Sequence, residues 1–291
     1  MKKIPSGVYG LNALLDGGVN ENSTTVVIGS SGAGKTTLAT QYVRRGLEGG
    51  QEGIFVSLDE NKEQIIKEAI EMGWTDIRDY VENEQLVFID ASGRDFSDFI
   101  KKELPSFVSE WKGAKARIAI DPLTPVLWAT PDRYEQRELI GFLLKETRNV
   151  GTVLATLEEH GTAGDLSGPE TVIPMYLADC VIHLKYRALD DGADRRLKIV
   201  KCRNSQHSER AHSYIIVKGL GIIVQHAHAI PPKESKGAEE LRRILGANAS
   251  RMPKPVMGRL TAAIAELEDD DLRGVKIEDI AKSLISEYEV G

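Results

Sequence analysis

The sequence has only two cysteines and no long apolar run. Cys180 and Cys202 each lie in an apolar or strand-like stretch, so both are expected to be reduced and not part of a disulfide framework. No apolar run approaches the length of a membrane span. The opening "MKKIPSGVYG" has the lysines of a secretory signal but no apolar core after them. These absences predict a cytoplasmic protein without a membrane span.

Positive charge is also in short supply. The 37 Lys+Arg residues face 44 Asp+Glu residues, which gives a formal net charge of -7. Because a protein that coats nucleic acid needs a positive field, this balance argues against that class, but it leaves room for a local basic patch. The 291 residues, 41% of them hydrophobic, are enough for one large α/β domain with an appendage, or for two modest domains.

Short apolar runs rich in β-branched residues alternate with amphipathic stretches in the first part of the chain. This rhythm predicts βαβ units and a mainly parallel central sheet flanked by helices. The runs predicted to be buried strands are 24–29, 53–58, 86–90, 117–121 and 151–156.

The rhythm changes after about residue 178. Four strand-like runs follow with only loops between them, which predicts an antiparallel β-meander at one sheet edge, with an exposed hairpin tip over 186–196. The prolines and polar residues of 230–237 indicate a linker, and the remaining segments have a helical period. We therefore predict a core domain over 1–230, then a linker and a small helical C-terminal extension over 231–291.

The segment "GSSGAGKTT" matches the phosphate-binding pattern G-x-x-x-x-G-K-[ST], between a predicted strand and a predicted helix. Its glycines let backbone N–H groups turn inward around phosphate oxygens, and the helix N-terminus favours the same anion. Lys35 is expected to reach the β- and γ-phosphates, and Thr36 to bind Mg²⁺. This pattern predicts a nucleoside triphosphate site. Its residues are Gly29, Ser30, Ser31, Gly32, Ala33, Gly34, Lys35, Thr36 and Thr37.

Magnesium also needs a carboxylate near the phosphates, usually at the end of a neighbouring parallel strand. Two predicted strands end in such a residue, one at Asp90 and one at Asp121. Spacing alone does not separate them. Asp121 is favoured because "DPLTPVL" continues into another apolar segment, whereas a polar run follows Asp90.

Hydrolysis needs a group that orients or deprotonates water. Asp59 and Glu60 directly follow a predicted strand, which would place them beside the phosphate loop. An acid at this point is equally suited to cap the helix that follows. Both roles stay open, one acid capping and the other facing water.

Together these motifs resemble KaiC-type ATPases of the RecA superfamily, which includes RadA-like recombinases. The resemblance covers about residues 1–228, through "IPSGVYGLNALLDGG" before the phosphate loop, "FVSLDENKEQI", "RIAIDPLTPVL" and "RLKIVKCRNSQHSE". It implies a RecA-like P-loop NTPase core with ATP and Mg²⁺ as cofactors and Asp121 on the metal. It also implies that Glu60 activates water with Asp59 in support, although the family often has Glu where this chain has Asp59.

The resemblance gives "KCRNSQH" a role that local pattern does not. By itself the segment indicates a solvated strand. In the family, the cations of a K-x-R signature reach the γ-phosphate held by the neighbouring subunit of a ring, usually a hexamer. This implies that Lys201 and Arg203 act in trans within a homo-oligomer, while the role of His207 stays open.

The preferred hypothesis is a Mg²⁺-dependent, ring-forming regulatory ATPase with a protein partner that the sequence does not identify. One alternative is a RadA-like DNA-binding recombination accessory protein, and another is an ATP-switch scaffold with little turnover. DNA is not favoured, because the loop predicted over 128–138 mixes two arginines with three acids and the loop predicted over 158–171 has no Lys or Arg. Its four acids are Glu158, Glu159, Asp165 and Glu170.

Overall fold

A nine-stranded sheet lies at the centre of the protein in a computed structural model. The structure describes residues 1–160, 166–189, 192–225, 235–265, 267, 272 and 276–288. Its strands are β1 (Lys3–Ile4), β2 (Val19–Asn20), β3 (Thr24–Gly29), β4 (Gly53–Ser57), β5 (Leu86–Asp90), β6 (Ala116–Asp121), β7 (Gly151–Glu158), β8 (Cys180–Leu189), β9 (Gly192–Cys202), β10 (Ala211–Val217) and β11 (Gly221–Val224).

Helices lie between the parallel strands and after the last strand. They are α1 (Leu11–Leu14), α2 (Lys35–Glu48), α3 (Lys62–Glu71), α4 (Ile77–Glu82), α5 (Gly93–Lys102), α6 (Leu104–Glu110), α7 (Thr124–Trp128), α8 (Arg133–Thr147), α9 (Pro169–Leu177), α10 (Lys236–Ala247), α11 (Lys254–Ile264) and α12 (Ile277–Tyr288), with a 3₁₀ turn at Ala249–Arg251. In the ranges that the structure describes, no helix combines the length and the apolar character needed to cross a membrane.

The strand order of the sheet is β11-β10-β9-β8-β3-β7-β6-β4-β5. All pairings from β8 to β5 are parallel, and those from β8 to β11 are antiparallel. The predicted fold class, a mainly parallel sheet with a meander at one edge, is confirmed. β8 is the turning point, because it pairs in parallel with β3 and antiparallel with β9.

Alternating side chains of the parallel strands enter two apolar cores, one on each face of the sheet. On one face, Val27 and Phe55 pack with the buried side of α2, which includes Leu38 and Tyr42. On the other face, the residues that alternate with these along each strand, such as Val26, pack with α5, α6 and α8. Runs that are apolar at every position are typical of strands covered on both faces, which is why the sequence pattern located them.

The C-terminal helices join the sheet through a third apolar cluster. Val217 and Ile223 from β10 and β11 contact a cluster that includes Leu241 of α10 and Leu284 of α12. The predicted domain boundary at residue 230 lies outside the described residues. α10, α11 and α12 themselves agree with the helical period of the sequence.

Three local predictions need correction. Most of 128–138, expected to be a loop, belongs to α7 and α8, and α8 begins because the Asp132 carboxylate accepts the amides of Tyr134 and Glu135 at 2.9 and 3.0 Å. Helix α9 was not predicted, and it contains a proline inside. The segment 186–196, expected to be an exposed hairpin tip, is mainly strand, because the β8–β9 pairing continues out to Leu189 and Gly192; residues 190 and 191 lie outside the described part.

Gly151 begins β7 where the backbone of β6 leaves no room for a side chain. A Cβ there would lie 2.0 Å from the Ala116 carbonyl oxygen. We expect Gly151→Ala to lower the free energy of unfolding by about 1–3 kcal/mol, because the parallel strands must shift apart. Urea denaturation measures this loss.

The matched control is Gly141→Ala on α8, where a Cβ meets nothing within 4 Å. There alanine should stabilise by about 0.5–1 kcal/mol through its better helix propensity. Equal destabilisation by both substitutions would contradict the close approach at Gly151.

Candidate active site

The carboxyl ends of four parallel strands meet at one edge of the sheet. In the strand register, Gly29 of β3 lies beside Glu158 of β7, and Ser57 of β4 lies beside Asp121 of β6. Because these strands run the same way, whatever follows them is collected at this edge. The candidate phosphate loop follows Gly29 directly.

Glycine is required at two points of this loop. Gly32 and Gly34 have φ values of 78° and 89°, a region that other residues rarely adopt. A Cβ on Gly34 would also lie 2.8 Å from Ile216 Cδ1. The loop turns into α2, which begins at Lys35. The Ser30 hydroxyl is buried and has no hydrogen-bond partner among the described residues, as expected for a loop whose polar groups are arranged for a ligand.

A cavity of about 260 Å³ opens above the loop. It brings the loop together with both predicted acids and with the predicted metal carboxylate. Its lining residues are Ser31, Gly32, Gly34, Lys35, Thr36, Thr37, Asp59, Glu60, Asp121, Pro122 and Glu158.

Lys35 is the cation of this cavity. Its Nζ donates to the carbonyl oxygen of Ser30 at 3.2 Å. Burial lowers the pKa of Lys35, and the negative charges of Glu158 and Asp121 oppose that shift. The ammonium is thus a partly desolvated charge among carboxylates, a setting that favours an anion with several oxygens.

The structure separates the two aspartates that the sequence left open. Asp121 is buried, and its carboxylate accepts hydrogen bonds from the hydroxyls of Thr156 and Thr36. Burial raises the pKa of Asp121. Asp90 instead accepts the amide of Lys62 at 3.2 Å near the start of α3 and does not line the cavity.

The Thr36 hydroxyl and the Asp121 carboxylate fit a magnesium ion bound together with phosphates. Mg²⁺ prefers oxygen ligands, keeps several waters and needs only one or two carboxylates when phosphates supply the rest. The described residues contain no cluster of three or more His, Cys, Asp or Glu side chains suited to hold a metal ion. An ion here would therefore depend on the oxygens of its ligand.

Asp59 and Glu60 both reach the cavity, and neither caps α3. Asn61 takes that position, and its side chain accepts the Gln64 amide at 2.9 Å. Burial raises the pKa of Glu60, and the charges of Glu68, Asp121 and Asp59 add to the rise. Because Asn61 caps the helix, capping does not account for the two acids.

Glu158 is the cavity residue that sequence reasoning missed. It was assigned to a loop over 158–171, but it is the last residue of β7. Its neighbour Glu159 is buried against His183, with 3.3 Å between the Oε2 and Nε2 atoms. Two of the four acids that argued against DNA in that loop thus belong to the sheet edge. The strand predicted over 151–156 continues for two more residues in the structure, and Glu158 is the second of them.

Lys201 and Arg203 are not brought to this cavity. Lys201 pairs with Val181, which pairs with Val26, three residues before the loop begins at Gly29. That separation is about 10 Å along the strand. Both cations lie beside the end of α9, where their side chains donate to backbone carbonyl groups. Lys201 donates to the Met175 carbonyl at 2.6 Å, and Arg203 donates to the Tyr176 carbonyl at 2.9 Å.

A second cavity, of about 400 Å³, adjoins the first and shares Thr36 and Thr37 with it. Both apolar and ionic groups line this cavity, and residues of α12 form one of its walls. The other lining residues are Thr40, Glu68, Ala69, Glu71, Met72, Trp74, Ile216, Lys218, Glu287 and Tyr288. Lys218 and Glu287 form an ion pair at 3.2 Å across this wall.

Comparison with known families gives a match over most of the chain. The profile of the family described as "ATPase: KaiC" matches residues 4–229. The circadian clock protein KaiC3 of Synechocystis sp. (strain PCC 6803) is 26% identical over 270 residues, which cover 86% of this chain and 52% of that protein. The chain thus spans about half the length of this relative.

Shorter proteins match over nearly their whole length. A UPF0273 protein of Methanopyrus kandleri is 28% identical over 236 residues, covering 74% of this chain and 89% of that protein. A solved structure, that of a KaiC-like protein from Pyrococcus horikoshii OT3, is 26% identical, with a TM-score of 0.64 over 77% of this chain and 99% of its own.

Burial of Asp121 predicts a stability cost in the ligand-free protein. Because its folded pKa is raised, the native state loses stability as the pH rises from the unfolded pKa of the carboxyl group through the folded one. We expect Asp121→Asn to raise the free energy of unfolding at pH 7, without nucleotide or metal, by about 0.5–2 kcal/mol. The gain should shrink as the pH falls towards 4, because the unfolded state then begins to bind the proton that the folded state already holds.

Asp90→Asn is the matched control, because this aspartate also ends a parallel strand but is exposed. Its stability should equal that of the wild type at both pH values. Urea titrations of the three proteins, without ligand, make the comparison. A loss of stability in Asp121→Asn at pH 7 would show that the carboxylate is favourably paired and contradict the prediction.

Proposed function

Since the chain belongs to the KaiC family of ATPases, we propose that this ATP-binding P-loop protein hydrolyses ATP in a Mg²⁺-dependent reaction and does so as a ring of identical subunits. The observation that carries the proposal is one cavity that contains the phosphate loop, Lys35, Thr36, Asp121 and Glu60. These are the groups needed to hold a triphosphate, bind its metal and activate water.

The loop and Lys35 bind the phosphates. Backbone N–H groups of the loop and the N-terminus of α2 favour the anion, and the Lys35 ammonium lies between them and the acids. Thr36 and Asp121 would hold a magnesium ion, which would supply positive charge to the phosphates when bound.

Glu60 is assigned to the water. Its raised pKa brings it closer to the working pH, where a general base is most effective. Asp59 supports it, because its negative charge contributes to that rise. Glu158 faces the same cavity and opposes the burial-driven fall of the Lys35 pKa, which helps to keep that side chain charged.

The second cavity is suited to the base and ribose. A triphosphate on the loop must place its nucleoside within a few ångströms of Thr36 and Thr37, and this cavity shares both residues. Its volume lies within the range of about 300–1,000 Å³ that small-molecule sites show. Tyr288 offers aromatic surface there, so the C-terminal extension proposed over 231–291 would contact the nucleoside held by the 1–230 core.

Lys201 and Arg203 are assigned to the nucleotide of a neighbouring subunit. Within one chain they lie at the opposite end of the strands from the phosphate loop. A second copy that docks the end of its β9 against the cavity would supply two cations to the transferred phosphoryl. This is the role of an arginine finger. A ring of six subunits repeats this contact and leaves no cavity incomplete. We place the protein in the cytoplasm, where its regulatory partner would be another protein.

The role of Glu60 is tested by Glu60→Gln, which keeps the size of the side chain and removes its basicity. We expect kcat for ATP hydrolysis to fall by about 10²–10⁴-fold, with the affinity for ATP changed little. Steady-state ADP release and equilibrium nucleotide binding measure the two effects.

The control is Glu63→Gln, an exposed acid in the first turn of α3, which should keep wild-type turnover. Full turnover in Glu60→Gln would overturn its assignment. Wild-type ADP release no greater than that of Lys35→Ala, with ATP still bound, would instead support the scaffold function with little turnover.

The action of Arg203 in trans is tested by complementation. We expect Arg203→Ala to lose about 10³-fold or more in kcat and to keep ATP affinity, because the cation acts on the transferred phosphoryl. Lys35→Ala should fail for a different reason, since its own loop is impaired. When the two variants are mixed, Arg203 of a Lys35→Ala subunit can serve an intact loop next to it, so part of the turnover should return.

Urea denaturation must accompany this test, because Arg203 also holds the Tyr176 carbonyl. Arg210→Ala, an exposed arginine a few residues further on, serves as the control with unchanged kcat. Mass measurement with and without an ATP analogue reports the ring. A fully active monomer, or a mixture that stays inactive while rings form, would contradict the action in trans.

A further inference from the structure

Cys180 and Cys202 face each other across the β8–β9 ladder. They are directly opposed in the strand register. The Arg203 amide donates to the Asp179 carbonyl at 2.8 Å, so the ladder hydrogen bond lies beside the cysteine pair and not on it. In antiparallel sheets such a non-hydrogen-bonded pair brings its side chains closest together, with Cα atoms about 4.5 Å apart.

We propose that Cys180 and Cys202 form a modification site, at which a peroxide converts the two free thiols into a reversible cross-strand disulfide. Both thiols are free in the structure, and each forms a side-chain hydrogen bond with the other. A Cα separation of about 4.5 Å lies inside the window of about 4.4–6.8 Å that disulfides span. The bond therefore needs only a local adjustment of the two strands.

The surroundings of the pair assign different roles to the two sulfurs. Cys202 is the more exposed, at 9% against 2% for Cys180. The hydrogen bond with Cys180 lowers the pKa of Cys202, and the charge of Lys3 acts in the same direction. The same hydrogen bond, together with burial, raises the pKa of Cys180. Since the thiolate is the nucleophile, Cys202 reacts first and Cys180 resolves the product.

The chemistry balances with hydrogen peroxide as the two-electron oxidant. The Cys202 thiolate attacks one peroxide oxygen, the O–O bond breaks and hydroxide leaves, which gives a sulfenic acid. The Cys180 sulfur then attacks the sulfur of Cys202, the S–O bond breaks, and the leaving hydroxide takes the Cys180 proton to form water. An added dithiol reverses the reaction by thiol–disulfide exchange.

The disulfide would displace the two cations at the end of β9, Lys201 and Arg203. The effect of this displacement on turnover rests on the proposed function. Cys202 lies between Lys201 and Arg203. The commonest disulfide Cα separation of about 5.5–6 Å exceeds the about 4.5 Å that is typical of a non-hydrogen-bonded pair, so oxidation would spread the strands there by about 1 Å. A displacement of about 1 Å at a group that contacts the reacting phosphoryl is expected to cost turnover heavily.

The test uses the full chain, treated with hydrogen peroxide, quenched, and alkylated under denaturing conditions. We expect the intact mass to fall by about 2 Da with no alkyl group added, and dithiothreitol to restore two alkylatable thiols. Peptide mapping without reduction should recover the Cys180–Cys202 link. Cys180→Ser, treated alike, should give a Cys202 sulfenic acid that a sulfenic-acid probe traps. Two alkylated thiols in the treated wild type, or sulfinic acid without a disulfide, would overturn the proposal.

A second measurement separates this site from the proposed function. Oxidised wild type should hydrolyse ATP about tenfold or more slowly than the reduced protein, and Cys180→Ser should show no such dithiothreitol-reversible loss. A disulfide that forms with unchanged turnover would overturn the link to Lys201 and Arg203. If the reduced protein has no turnover, the proposed function fails, while the mass measurement still decides whether the disulfide forms.

Discussion

Parallel pairing of four strands is the constraint on which the candidate site depends. Because β3, β4, β6 and β7 run in the same direction and in register, the residues that follow them are collected at one edge of the sheet. The phosphate loop, Asp121, and the neighbouring pair Asp59 and Glu60 come from chain segments that lie far apart in sequence. Each apolar strand is buried on both faces, which leaves little freedom for the register to slip.

Burial makes that edge electrostatically costly without a ligand. Desolvation lowers the pKa of Lys35 and raises that of Asp121, so both charges are disfavoured where they stand. Each partly offsets the penalty of the other, as neighbouring opposite charges do. In the proposed function, a triphosphate with its metal would supply the missing counter-charges to both. The site is thus arranged for a ligand at the expense of the empty protein, a trade that functional sites often show.

The antiparallel edge has a different character. Lys201 and Arg203 lie where β9 ends, held by carbonyl groups of α9, with a pair of cysteines opposed beside them. Within one chain this edge lies about 10 Å along the strand from the phosphate loop, so the roles proposed for its cations and its thiols involve a neighbouring subunit or modification. The proposals for assembly and for oxidation meet at the same few residues of one strand.

Much of the fold could be predicted from the sequence, and part of the site. The apolar runs located the strands because side chains buried on both faces must be apolar at every position. The glycines and Lys35 identified the phosphate loop because its backbone geometry tolerates little else. Helix α9 was missed since proline argues against a helix, and Glu158 was missed since one polar residue at a strand end looks like the start of a loop.

The sequence by itself determined the local elements: which stretches are strands, which are helices, and where a loop is arranged for phosphate. Only the tertiary structure decided which side chains share a site. Asp90 and Asp121 end similar strands, and strand order alone places β6 beside β7 and leaves β5 at the edge. Likewise, the opposition of Cys180 and Cys202 depends on the register of β8 with β9. Such choices depend on contacts between distant segments, whereas propensity and periodicity describe neighbours along the chain.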